Sequence, residues 1–253
     1  EECLSLANEL GIDFAASVFD PEMIEFIADK TPFLKIASGD LTHIPLLRHA
    51  ANTGRPIVLS TGCATMDEIR TAVAELPTDR LILLHCVSSY PTAQSDANLN
   101  MIDHLRKEFE LPVGYSDHTV GTRAATVAVS KGAPLIEKHF TLDDAQDVGD
   151  HSLSATPAEM TELVEESQRI TDTLGDQSRG ADSRLEATSD CGQMRRSLAT
   201  ASSIAEGETI TESHLTALRP ETGVSPEDID TVVGTSATRD LPELTILTAD
   251  DYQ

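Results

Sequence analysis

Two histidines close two consecutive apolar runs, Val113-Gly114-Tyr115-Ser116-Asp117-His118 and Leu135-Ile136-Glu137-Lys138-His139. A lone histidine at a sheet edge is ordinarily bonded to backbone, but two at neighbouring strand ends make a metal pair. Imidazole suits Mn2+, Co2+ or Zn2+, and two protein ligands leave positions for water and a substrate oxygen. Lys35 is a second pointer, a charge inside the apolar run 33–37. An unpaired ammonium there is costly, so it should face a rim and meet an anion. Hydroxyls recur at run ends: Ser17, Ser38, Ser60, Ser88 and Ser116. One such serine is ordinarily a turn residue. Their recurrence on successive runs suggests directional donors converging on an anion.

Apolar runs of strand length at 12–16, 33–37, 56–59, 81–86, 112–115 and 134–137 must position these residues. Helical segments are expected between them, over 21–30, 41–52, 65–75, 97–108 and 119–131, and a long one follows from Thr156-Pro157 to about 174. Asp20-Pro21 is a helix start, Gly54 and Gly132 are stops, and Thr65 with Glu68 forms a capping box. Strict alternation predicts a parallel sheet with helical crossovers. A doubly wound sheet and a (β/α)8 barrel both fit. No glycine-rich phosphate loop follows any strand, and polar residues stand at nearly every strand end, which favours the barrel. Six units are read where a closed barrel has eight, so two leading units are expected to be absent from this α/β chain. The domain read over 1–175 is followed by a polar, glycine-bearing linker, 176–193. A small β-rich domain then spans 194–253, its core marginal at about 60 residues.

The chain carries 43 acidic against 18 basic residues, a net charge of -25, spread along its length. That sign excludes a duplex-binding surface. No apolar run nears the ~18 residues of a membrane span, and Glu1-Glu2-Cys3 opens no signal peptide. A cytoplasmic protein is expected. The diffuse acid suggests a halophilic setting, in which counter-ions screen carboxylate repulsion. The cysteines Cys3, Cys63, Cys86 and Cys191 form no CxxC pair and are read as reduced thiols.

Six segments in order carry a resemblance: Phe33 to Asp40, Leu59-Ser60-Thr61-Gly62, Leu84-His85-Cys86-Val87-Ser88-Ser89-Tyr90-Pro91, Gly114 to Thr119, Glu137-Lys138-His139-Phe140-Thr141, and Arg195 through Leu218-Arg219-Pro220 to Gly234. Together they resemble the N-acetylneuraminate (sialic acid) synthase family, the last its antifreeze-like (SAF) domain. The resemblance implies condensation of phosphoenolpyruvate with N-acetylmannosamine or a related 2-acetamido sugar, with release of phosphate. It implies a divalent cation at His118 and His139, most often Mn2+, with Mg2+ or Co2+ as alternatives. It implies a phosphoenolpyruvate grip of Lys35, Ser17, Ser38, Ser60 and Ser116, with Ser88 standing where the family often has Asn. Tyr90 and Asp150 are implied at the sugar, alongside Lys35 in the catalytic set. Arg219 is implied to reach the neighbouring subunit's site in a domain-swapped homodimer. The family's catalytic glutamate and a further lysine belong to the two leading strands. Two readings compete with this: a legionaminate- or pseudaminate-type synthase or polysaccharide-biosynthesis homologue, and an inactive truncated scaffold.

Overall fold

The computed structural model describes residues 1–142, 149–175 and 191–253. The linker read over 176–193 and the acidic stretch before Asp150 lie largely outside them. The chain divides into two compact units, 1–175 and 176–253.

The first unit is built on five parallel strands: β1 (Leu34–Ile36), β2 (Ile57–Ser60), β3 (Leu81–Cys86), β4 (Val113–Asp117) and β5 (Ile136–Lys138). Their spatial order is their sequence order. A doubly wound sheet reverses its order at a switch point; this one never does. Helices α1 (Glu2–Leu10) and α2 (Pro21–Ile27) precede β1, α3 (Ile44–Asn52), α4 (Met66–Ala74), α5 (Asn100–Phe109) and α6 (Arg123–Ser130) lie between successive strands, and α7 (Pro157–Leu174) follows β5. Alternation sorts each strand into two faces. Leu34, Ile36, Ile57, Leu59, Leu81, Leu83, Val113 and Tyr115 join Leu46, Leu47, Ile69, Ile102, Leu105 and Ala128 of the helices in one core. Each fully buried aliphatic there contributes about 1.5–3 kcal/mol, so a one-residue slip in register would be prohibitive. The other face carries Lys35, Ser60, Cys86, Ser116 and Glu137.

That face is concave. Lys35 on β1 and Glu137 on β5 form an ion pair at 3.4 Å. In a flat sheet, four strand spacings would separate β1 from β5 by roughly 19 Å. The sheet is therefore curled, an arc of barrel wall.

Local chemistry sets the helix starts. Asp20 accepts the Met23 N–H at 2.7 Å ahead of Pro21. Thr65 and Glu68 exchange bonds as a capping box, as do Thr156 and Glu159. Three expectations need correction. The strand read over 12–16 is reduced to one parallel bridge, Ser17 to Lys35, with Ile12 exposed and Phe14 and Ala16 packing on the core. Helix α6 begins at Arg123 rather than 119, because Asp117 takes the Thr119 N–H at 2.8 Å and holds that residue in the strand-end turn. Helix α1 has no counterpart in the reading; Cys3, Leu6, Ala7 and Leu10 recur at helical spacing, but of these only Ala7 is buried.

In the second unit, Cys191–Met194 forms a short helix, α8, where the linker was expected to run on. Strands β6 (Ser197–Thr200) and β7 (Leu215–Leu218) pair antiparallel. Isolated bridges, such as Ile204 to Leu241 and Ala237 to Tyr252, complete the β framework. Leu198, Ile204, Ile210, Val232, Leu241 and Leu247 form its core, with α9 (Ile229–Val232) supplying Val232.

Candidate active site

On the concave face, Cys86 stands beside Ser116 and Ser116 beside Glu137 in the ladder. The Ser116 hydroxyl donates to Glu137 Oε1 at 2.6 Å, while Oε2 of the same carboxylate faces Lys35 Nζ. Lys35 also donates to the Ile36 carbonyl at 3.1 Å. The anion that the lysine was expected to meet is thus, within this chain, Glu137. Sequence reasoning missed this residue, although the signal that singled out Lys35 was there: a charge inside an apolar strand. Ser60 is 2% exposed, and its hydroxyl has no partner among the described residues. An orphaned donor on a concave face is a place for a ligand oxygen.

The strands end in the two histidines. Their rings are 5.3 Å apart, centroid to centroid, and nearly perpendicular. His118 Nδ1 lies 2.8 Å from the Val87 carbonyl and 3.8 Å from Cys86 Sγ. A carbonyl only accepts, so Nδ1 carries the hydrogen and Nε2 presents its lone pair, the arrangement that fixes a metal-ligating imidazole. Burial pulls the His118 pKa down, but the Cys86 thiol and Val87 carbonyl outweigh it and the value is raised. His139 is lowered, by burial first and then by the His118 charge. The two imidazoles therefore titrate apart. Tyr90 covers them, its ring 4.0 Å from that of His118 and 5.8 Å from that of His139. Burial, then the charges of Cys86, Asp150 and Glu137, raises the Tyr90 phenol, which stays protonated near neutrality. Asp150 is exposed, with Oδ2 3.7 Å from His139 Nδ1.

A third cluster adjoins the thiol. The Gly62 N–H donates to Ser38 Oγ at 2.9 Å. A Cβ at Gly62 would fall 2.2 Å from Ser88 Oγ, 2.9 Å from Ser38 Oγ and 3.0 Å from Cys86 Sγ, so these three groups pack around a space only glycine leaves. Cys86, read as an ordinary buried thiol, is the link between this cluster and His118. Among the described residues, Ser17 joins the constellation through its backbone bridge to Lys35. Arg219 is exposed in the second unit, just after β7. Its loop is pinned by Ser197, which donates to the Pro220 carbonyl at 3.0 Å and accepts the Thr222 and Gly223 N–H groups at 2.9 Å. Gly223 is obligatory there, since a Cβ would lie 2.1 Å from the Leu247 carbonyl oxygen.

Among the described residues no three His, Cys, Asp or Glu side chains converge as a protein-only metal cage. The donor set fits a cation held by two imidazoles, its other positions left to water and substrate.

The NeuB family model matches residues 1–179, and the SAF domain model matches 195–253. The chain belongs to the NeuB family. Among its relatives, the N,N'-diacetyllegionaminic acid synthase of Legionella pneumophila is 38% identical over 251 residues, covering 96% of this chain and 70% of that one. The N-acetylneuraminate-9-phosphate synthase of Mus musculus is 35% identical over 240 residues, covering 92% and 66%. A crystal structure of N-acetylneuraminic acid synthetase from Leptospira borgpetersenii superposes with a TM-score of 0.68 at 40% identity, over 74% of this chain and 68% of that one. Among the described residues no helix is long and apolar enough to cross a membrane.

Proposed function

We propose that this NeuB-family chain condenses phosphoenolpyruvate with N-acetylmannosamine or a related 2-acetamido sugar. Carbon 3 of phosphoenolpyruvate bonds to the sugar's aldehyde carbon, the aldehyde oxygen takes a proton, water adds its oxygen at carbon 2, and phosphate leaves. One juxtaposition carries the reading: a buried ammonium and serine hydroxyls share a concave sheet face with a histidine pair at the strand ends.

Lys35, Ser38, Ser60 and Ser116, with Ser17 and Ser88 at the margin, grip the carboxylate and phosphate, exchanging the Glu137 carboxylate for the substrate's. His118 and His139 hold a divalent cation, Mn2+ first and Mg2+ or Co2+ as alternatives, which when bound polarises the sugar aldehyde. The protonated Tyr90 walls the sugar against the imidazoles and offers a donor. Asp150 accepts from sugar hydroxyls. Arg219 completes the sugar site across a domain-swapped dimer, and the curled sheet is the arc of an eight-stranded barrel. A legionaminate-type sugar is the second reading, on the likeness to the Legionella relative.

Phosphate release from phosphoenolpyruvate, measured with N-acetylmannosamine and its phosphorylated and diacetamido relatives, tests this. Release is expected only with a matching sugar, stopped by a chelator and by His118→Ala or His139→Ala. Sugar-independent release, or full activity in both variants, contradicts it, and no release with any sugar supports the inactive scaffold.

A further inference from the structure

Behind the histidine pair, on the face turned toward the helices, lies an ion pair that no step above uses. Asp117 ends β4 and Lys138 ends β5, and the two are register partners. Their side chains are 0% and 2% exposed, and Lys138 Nζ lies 3.1 Å from Asp117 Oδ2. The next residue on each strand is a histidine of the site. Asp117 Oδ1 accepts the Thr119 N–H at 2.8 Å and the Tyr115 hydroxyl at 3.2 Å. Lys138 donates to the Thr119 carbonyl. Both backbone polar groups of Thr119 are thereby fastened to the pair, and His118 sits between two clamped residues. On the other strand, the His139 carbonyl accepts the Ala155 N–H at 2.7 Å.

A buried ion pair is a poor device for stability, since apolar residues of similar volume fill the same space without desolvating two charges. What an apolar pair cannot do is fix the relative height of two strand ends through directional bonds.

We propose that Asp117 and Lys138 are positioning residues that set the spacing of His118 and His139 for a shared cation. This rests on the metal reading above. The pair acts as an outer shell, on the backbone that carries the ligands rather than on the ligand atoms.

The test is Mn2+ binding, followed by electron paramagnetic resonance, together with kcat and KM, in wild type, in Asp117→Asn/Lys138→Met and in Tyr115→Phe. The double variant removes both charges at nearly constant volume, so no unpaired buried charge is left. The expected result is Mn2+ affinity lower by about 10–100-fold, the usual effect of losing outer-shell support, with the KM for phosphoenolpyruvate little changed because Lys35 is untouched. Tyr115→Phe removes only one bond to Asp117 and is expected to weaken Mn2+ binding severalfold while remaining folded. If either variant folds and binds Mn2+ as wild type does, the inference is overturned. A wild-type protein that binds no Mn2+ overturns the metal reading as well, and that result is read from the wild-type titration alone.

Discussion

Replacing Gly62 with alanine puts one methyl group into the wall shared by Ser38, Ser88 and Cys86. The three distances, 2.2, 2.9 and 3.0 Å, decide the outcome. Non-bonded heavy atoms need roughly 3.5 Å, so Ser88 Oγ must retreat by about 1 Å. Ser88 can do so by rotating its side chain. Ser38 is less free, because its hydroxyl accepts the Gly62 N–H. The Cys86 backbone is fixed in the β3 ladder, and rotating its sulfur away would give up the approach to His118 Nδ1. Overpacking of this kind costs about 1–3 kcal/mol, and the reduced freedom of the unfolded chain returns about 0.4–1 kcal/mol. The net loss is on the order of 1–2 kcal/mol, a fall in Tm of about 2–8 °C. Activity should suffer more: a displacement of about 1 Å among positioning groups costs about 100-fold in kcat/KM. Calorimetry and phosphate release measure the two effects. Gly39→Ala is the control, since its Cβ would meet nothing within 4 Å; it should leave both quantities near wild type. Gly62→Ala with kcat/KM within about threefold of wild type would refute the placement of this wall at the site.

Glu137→Gln keeps an acceptor for Ser116 but leaves Lys35 without its carboxylate; Tm should fall by a few degrees, while the KM for phosphoenolpyruvate drops because the substrate no longer displaces an anion, and an unchanged KM contradicts that exchange. In the second unit, burial pushes Asp251 up, but bonds from Thr248 and Arg239 outweigh it and hold its pKa below the usual carboxylate value. Its stabilisation is therefore complete above the unfolded pKa of about 3.9 and is lost as pH falls through the lower folded value, so calorimetric curves of wild type and Asp251→Ala should differ at pH 7 by about 1–3 kcal/mol and converge in acid; parallel curves contradict this. With a net charge of -25, Tm should rise between about 0.1 and 2 M KCl as repulsion is screened, and a fall removes the halophilic reading.

Much of the fold was legible because its signals are local. Apolar runs, the Thr65–Glu68 box and the stops at Gly54 and Gly132 each act within a few residues, and strands β1 to β5 stand where such runs lie. The five-stranded sequential order settles a choice that alternation alone left open. The histidine pair was legible for the same reason: strand ends one crossover apart bring their residues together. The Lys35–Glu137 contact was not, because it depends on curvature summed over four strand pairings, which no single run encodes. The role of Cys86 was hidden too, since a thiol in an apolar run reads as packing, and only the third dimension sets it against His118. The late start of α6 follows from one side-chain bond, Thr119 N–H to Asp117, that competes with the helix.

The central claim is carbon–carbon bond formation on the face that carries Lys35, His118 and His139. Phosphoenolpyruvate labelled with carbon-13 at carbon 3, incubated with N-acetylmannosamine or a diacetamido relative and Mn2+, tests it by carbon NMR of the product. The account predicts that the label appears as a methylene bonded to the former aldehyde carbon of a nine-carbon acid, in step with phosphate release. Label recovered only as the methyl group of pyruvate would mean that the chain hydrolyses phosphoenolpyruvate without condensing it, and would contradict the account.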